Sequence, residues 1–346
     1  MKNVEFDKNM IVSAVDTSRY DYYNADSKPI SIYGVFREGD HYVRMPQGVA
    51  DKVSEGVAVR SNMTSGGRVR FRTDSKRVSL RVELREIVHN TWLSLCETVG
   101  FDVYENGKFV GNIHPAPGFN GGIFDSDLEL LSDDSCIEIY MPTHSRIYSL
   151  EIGVEKGSEI SHAPDYKHEK PIVFYGSSIT HGSCASRPGM TYPAQLSRML
   201  DTDFVNLGFG GLCKGEGEMA HYIGSLDMSV FVYDYDHNAL TVEHLRDTHE
   251  QFFKIFRAKQ PTTPVIMISR PTAYRYEDSV AVRFELIKRT YENARLAGDN
   301  NVYLINGMDF FGGDLEYTLD GLHPTDRGFV KMAEYIKDVL VGIGLN

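Results

Sequence analysis

The chain has 346 residues, with 48 acidic and 36 basic side chains and a formal net charge of -12. That length exceeds one small hydrophobic core and makes two domains the expectation, while the acidic balance argues against a nucleic-acid partner. No apolar run approaches the length of a membrane span, and the cysteines Cys96, Cys136, Cys184 and Cys213 are too scattered for a Cys-x-x-Cys zinc site or a disulfide framework.

In chain order, the opening MKNVEFDKNMIVSAVDTSRYDYY lacks the continuous apolar core of a signal peptide. The expectation is a cytoplasmic protein with reduced thiols. From about residue 25 to residue 155 the hydrophobic period is near two. RVRFRT, VSLRVEL, CIEIYMP and IYSLEIGV alternate apolar and polar side chains, and FDVYENGKFVGNI forms two short runs around Asn106-Gly107, a type I′ hairpin signal. Short strands without long helices predict an antiparallel β-sandwich of jelly-roll type. The polar stretch EKGSEISHAPDYKHEKP reads as a linker ending at Pro171. This predicts one domain over 1–165 and a second over 166–346.

Beyond the linker the pattern changes. IVFY, FVNL, VFVYDY, VIMIS and VYLI read as buried strands, and amphipathic stretches between them read as helices. Such alternation predicts a parallel sheet covered on both faces, an α/β fold. In such sheets ligands gather at the carboxyl ends of the strands. There the sequence places Gly176-Ser177-Ser178, then Gly208-Phe209-Gly210-Gly211, then Asp234-Tyr235-Asp236-His237-Asn238. After the last strand comes Asp320-Gly321-Leu322-His323.

Each residue type has a chemical use at that rim. A serine hydroxyl attacks a carbonyl once a base takes its proton, and His323 can be that base. Asp320 can accept the other ring N–H and fix the tautomer. Backbone N–H groups and an amide side chain can hold the oxyanion that forms.

These stretches, in this order, resemble the four blocks of the SGNH (GDSL-type) hydrolases, which are esterases and acyl hydrolases. The resemblance implies a flavodoxin-like three-layer α/β/α domain with Ser178 as nucleophile. It further implies an oxyanion hole of Ser178 N–H, Gly211 N–H and the Asn238 amide, and a triad completed by His323 and Asp320. Ser177, Asp236 and Ala239 depart from the usual block residues without removing a catalytic group. Gly100-Phe101-Asp102-Val103-Tyr104 is similar to the Gly-x-Asp-Leu-Tyr signature of a β-rich domain that precedes some bacterial members. Two-domain enzymes of this layout resemble carbohydrate acetyl esterases, which implies an acetylated oligosaccharide as substrate and no metal or organic cofactor.

His181, Arg187, Arg270 and His237 are candidate substrate contacts. For His181 a solvated loop position, and for the arginines a loop-anchoring ion pair, compete with that role. Trp92, the single tryptophan, is either a sugar platform or a packing residue. Two rival functions stand beside the esterase. One is a metal-dependent phosphoesterase built on Asp234, Asp236 and His237, although successive strand residues point to opposite faces. The other is a carbohydrate-binding protein with a non-catalytic hydrolase half.

Overall fold

The computed structural model describes residues 14–272 and 277–345. The first 13 residues, on which the signal-peptide reading partly rests, lie outside them. Among the described residues no helix is long and apolar enough to cross a membrane.

The β-rich first half is an antiparallel sandwich. One sheet pairs Tyr20–Asn24 with Ser149–Glu155, which pairs with Arg77–Leu84 and then Gly122–Glu129. The facing sheet runs from Ile160–Ser161 through Arg68–Thr73, Ser135–Tyr140 and Phe101–Glu105 to Lys108–Ile113, with Ser31–Tyr33 also on Arg68–Thr73. Alternation sends Val78, Leu80, Val82 and Leu84 of one sheet and Val69, Phe71, Ile137 and Ile139 of the other into a shared apolar core. Asn106 and Gly107 both take positive φ, 50° and 78°, as a type I′ turn requires.

The second half is a five-stranded parallel sheet of His168–Gly176, Thr202–Gly208, Val230–Asp234, Val265–Ile268 and Val302–Ile305. In space the second strand lies outside the first, which is followed by the third, fourth and fifth. This is the flavodoxin-like order. Period-two burial splits each strand between two helical layers. Ile172, Phe174 and Val232 pack with Leu196, Phe329, Met332 and Ile336 from helices Tyr192–Leu200 and Asp326–Gly342. Val173, Tyr175 and Tyr233 face Met219, Phe252, Phe256 and Ile287 from helices Gly217–Ile223, Val242–Lys259 and Glu277–Leu296. Order reverses between the first and third strands, so the crevice outside their carboxyl ends receives both Ser178 and Asn238.

The structure corrects one expectation and adds a detail. The stretch after residue 155 is no free linker. Ile160–Ser161 pairs with Arg68–Thr73, Tyr166 is buried, and the first parallel strand begins at His168, with a register shift before Ile172. Its polar residues are fixed by distant partners, such as Tyr166 OH, which accepts from Arg68 Nε at 2.7 Å. The first half also contains short helices, Gln47–Val53 and Glu55–Arg60, the second capped by Ser54 Oγ accepting from Val57 N–H at 3.2 Å. The second helix ends at Arg60, beside the crevice.

Candidate active site

Ser178 sits at the first position of a single helical turn, Ser178–His181, directly after the first parallel strand. Ser177 caps that turn, its Oγ accepting from Ile179 N–H at 3.2 Å. Gly176 precedes it because the chain there runs against its neighbours. A Cβ at that position would lie 2.0 Å from Thr180 Oγ1 and 2.4 Å from the Asp234 carbonyl oxygen. The turn rests on Asp234, whose Oδ2 accepts from Thr180 Oγ1 at 3.0 Å and Tyr192 OH at 3.2 Å. Burial pushes the Asp234 carboxyl up to about 8, so it is a neutral structural group at neutral pH.

His323 approaches from the loop before the last helix. Its Nε2 lies 2.8 Å from Ser178 Oγ, and its Nδ1 lies 2.8 Å from Asp320 Oδ2. Asp320 Oδ1 accepts the backbone N–H of Leu322 at 2.9 Å and of His323 at 2.7 Å. Burial opposes ionisation of Asp320, but the bonds from His323 and Leu322 outweigh it and hold the carboxyl below the usual range. The carboxylate therefore fixes both the loop and the ring.

The glycine turn after the second strand is held from the first half of the chain. Arg44 is fully buried, donates from Nη1 to the carbonyls of Asn206 (2.9 Å) and Gly208 (2.8 Å), and lies 4.4 Å from the Phe209 ring centre. Its Nε and Nη2 donate to the carbonyls of Met63 and Arg60. Arg60 Nη1 donates to the Gly210 carbonyl. Downstream, Gly211 N–H donates to Asn238 Oδ1 at 3.1 Å, and Asn238 Nδ2 donates to the Phe209 carbonyl at 3.1 Å.

The model of the GDSL-like lipase/acylhydrolase family matches residues 169–341, and that of the N-terminal Gly-x-Asp-Leu-Tyr domain of SGNH-type esterases matches residues 20–160. The chain belongs to the GDSL-like lipase/acylhydrolase family. It is a carboxylic ester hydrolase with a β-rich region ahead of its α/β domain. Among solved structures it is similar to a protein described as a GDSL-like lipase from Bacteroides ovatus, at 29% identity over 94% of this chain and 98% of that one, with a TM-score of 0.83. The salicylyl-acyltransferase SsfX3 of a tetracycline biosynthetic pathway matches at 21% identity over 94% and 98%, with a TM-score of 0.80. An acetyl xylan esterase, Est2A, from Butyrivibrio proteoclasticus shares the fold at 14% identity over 94% and 99%, with a TM-score of 0.62. No curated protein sequence matches the chain.

Within this GDSL-type hydrolase the candidate oxyanion donors Gly211 and Asn238 lie side by side. Gly211 N–H and the Asn238 amide satisfy each other and the Phe209 carbonyl. Asn238 Nδ2 keeps its second hydrogen, but the Gly211 N–H is already committed.

Two of the four candidate substrate contacts, His181 and Arg187, line neither cavity beside the strand ends. His181 is neither a pocket residue nor a solvated one. It is buried, with Nδ1 3.0 Å from the Gly208 carbonyl and Nε2 2.8 Å from the Thr143 carbonyl, and burial pushes its pKa well below the usual histidine range. Arg187 is an anchor between the halves, donating to Asp102 Oδ2 at 2.7 Å and Tyr104 OH at 2.9 Å and stacking on Phe109. Asp102 belongs to the signature pentapeptide, and its Oδ2 also accepts Gly189 N–H at 2.7 Å.

Arg270 is buried against Asp236, donating through its backbone N–H to Oδ2 at 2.9 Å and through Nη2 to the carbonyl at 3.1 Å. Arg283 Nη1 donates to the other Asp236 oxygen at 3.0 Å. Two guanidiniums thus occupy Asp236 while Asp234 serves Thr180 and Tyr192, so the proposed metal trio does not converge. Among the described residues no group of three His, Cys, Asp or Glu side chains is placed to hold an ion. His237 and Arg270 line a cavity of about 230 Å³ with Asn238 and Leu322. Burial lowers His237 to about 3, so its ring is neutral.

Sequence reasoning missed most of the main cleft. A cavity of about 360 Å³ beside Ser178 and His323 is walled by Arg60, Met63, Val88, Asn90, Trp92 and Leu93, all from the first half. Trp92 is 54% exposed, so it lines the cleft instead of packing inside. His144 stands on the same wall, its Nδ1 3.2 Å from buried Glu97 and its Nε2 3.2 Å from Ser183 Oγ. The one available signal was Trp92 with Leu93 in a stretch without clear period between two strands.

Proposed function

We propose that this hydrolase removes short acyl groups, acetyl foremost, from carbohydrate esters through an acyl-enzyme. The observation that carries the reading is the continuous hydrogen-bond chain from Ser178 Oγ through His323 to Asp320, 2.8 Å at each step and open to the cleft. Ser178 Oγ attacks the ester carbonyl as His323 Nε2 takes its proton, and Asp320 stabilises the imidazolium. Ser178 N–H and the second Asn238 amide hydrogen hold the oxyanion. Gly211 N–H joins them when it exchanges Asn238 Oδ1 for the substrate oxygen. His323 then protonates the leaving alcohol, and water repeats the sequence on the acyl group.

Carbohydrate substrates are supported by the acetyl xylan esterase of like fold and by a half-exposed tryptophan on the cleft wall, since aromatic faces suit the apolar faces of sugars. The four cysteines are free thiols, which suits a cytoplasmic location. The test is fluorophosphonate labelling together with acetate release from acetylated xylo-oligosaccharides. Wild type is expected to label and release acetate, and Ser178→Ala to do neither. Long-chain acyl esters cleaved much faster than acetyl esters would overturn the acetyl assignment.

A further inference from the structure

The main cleft has an unusual charge pattern. Arg60 is its one side chain of permanent charge, and no Asp or Glu side chain lines it. Among the described residues Arg60 has no carboxylate within ion-pair distance; its one side-chain bond is Nη1 to the Gly210 carbonyl. Directly behind it, Arg44 spends its guanidinium on four backbone carbonyls, also without an acid. The nearby acids are engaged elsewhere, Asp320 with His323 and Glu97 with His144. The wall therefore carries one cation that no side chain neutralises, with a second, Arg44, buried behind it, in an otherwise acidic protein.

This cationic wall lies next to the reacting serine. A Cβ on Gly210 would lie 2.9 Å from Arg60 Nη1 and 3.2 Å from Ser178 Cβ. Position 210 therefore lies between the guanidinium and Ser178. Most of the rest of that wall is apolar or aromatic, with Met63, Val88, Trp92 and Leu93, beside the uncharged amide of Asn90 and the imidazole of His144. A neutral sugar is usually gripped by carboxylates that accept from its hydroxyls, since ionised Asp and Glu are pure acceptors. This wall offers the opposite, a planar donor fork beside a hydrophobic surface, and such forks match carboxylates bidentately.

We propose that the cleft selects esters bearing a carboxylate, which Arg60 binds while Trp92 and its apolar neighbours cover the uncharged part. This rests on the esterase reading above and narrows its substrate class to acidic esters, such as acetylated sugar acids. The carboxylate could sit on the alcohol arm or on the acyl arm, so the test uses two matched pairs. Acetylated methyl glucuronide against acetylated methyl glucoside probes the alcohol arm, and 4-nitrophenyl hemisuccinate against 4-nitrophenyl butyrate probes the acyl arm.

In wild type, kcat/KM is expected to favour the acidic member of one pair by about 10- to 100-fold, the scale of a charge-assisted hydrogen bond. The acidic-to-neutral ratio, read within each protein, is expected to fall to one or below in Arg60→Met. In Arg60→Lys, which keeps the charge but not the fork, it should fall between the two. A wild-type preference for the neutral member of both pairs, or a preference that survives in Arg60→Met, overturns the proposal. If wild type cleaves none of the four esters, the esterase reading fails separately. The anion site is then decided by calorimetric titration with benzoate, where saturable binding lost in Arg60→Met upholds it and absence of binding to wild type overturns it.

Discussion

Asp320→Asn tests the proposed triad at its most discriminating point. Asp320 Oδ1 holds two backbone N–H groups, and Oδ2 alone faces His323 Nδ1. An asparagine can keep its oxygen on the backbone pair, which places its NH2 against Nδ1. The ring must then accept at Nδ1 and carry its proton on Nε2, 2.8 Å from Ser178 Oγ. A protonated Nε2 cannot take the serine proton. In serine proteases the equivalent exchange lowers kcat about 10⁴-fold with geometry intact, which is roughly 5.5 kcal/mol of barrier. The same loss is expected here, with little change in melting temperature because the loop keeps its two backbone bonds. Steady-state hydrolysis of 4-nitrophenyl acetate gives kcat, and a thermal melt gives stability. If Asp320→Asn keeps more than about a tenth of wild-type kcat, the loop backbone alone orients the ring and the tautomer argument is wrong.

Three further predictions concern the supports. Arg44→Met removes a donor from four backbone carbonyls, of which Gly208 keeps His181 Nδ1 and Arg60 keeps the Met63 N–H, so about 1 kcal/mol or more is lost at each of the other two. A loss of about 2 kcal/mol or more is therefore expected in denaturant titration, and an unchanged midpoint would mean that water replaces the guanidinium. Arg187→Met leaves Asp102 buried without its cation, which typically costs about 3–5 kcal/mol. The expected cost is at the lower end, because Asn112 and Gly189 still donate to that carboxylate. The folded Arg187→Met enzyme should keep its KM, whereas a raised KM would return Arg187 to the substrate site. Asp234 is held up to about 8 by burial, so between pH 4 and pH 8 the folded state binds a proton that the unfolded state has lost, and stability falls as pH rises through that window. Asp234→Asn removes this slope. It should match wild type near pH 4 and exceed it at pH 8 by a margin on the order of a few kcal/mol, and equal melting curves at both pH values would refute the assignment of a neutral carboxyl.

Elements that make their own signal were legible in the sequence. Period-two runs of Val, Leu and Phe bury one face wherever they lie, so the sandwich strands and the five buried strands of the sheet could be read locally. So could the Asn106-Gly107 turn and the Asp-x-x-His spacing. What failed to show depends on packing between segments far apart in the chain. Arg60 ends a six-residue helix and reads as a surface charge; only the approach of the glycine turn makes it a cleft residue. His181 looks like a loop histidine until the first half of the chain supplies the Thr143 carbonyl and the burial. The bond between Gly211 and Asn238 was equally hidden, since it joins two loops that no local motif pairs.

The same dependence says what the β-rich half is for. It packs on the α/β half through apolar side chains such as Met45, Val57, Tyr104 and Tyr140, and it also aims polar groups at that half's backbone. Arg44 and Arg60 act on the carbonyls of Asn206, Gly208 and Gly210, and Ser65 Oγ donates to the His181 carbonyl at 2.5 Å. These are the two turns that carry Ser178 and the candidate oxyanion donors. An appended sugar-binding module would touch the catalytic half through a linker and a small, mostly polar patch. Here the sandwich both walls the cleft and fixes the peptide planes behind it. A preorganised site needs its dipoles held before substrate arrives, and in this hydrolase much of that holding comes from arginines on the other half of the chain. Changes in the sandwich should therefore alter kcat through the turns as well as KM through the cleft wall, which a separate binding module could not do.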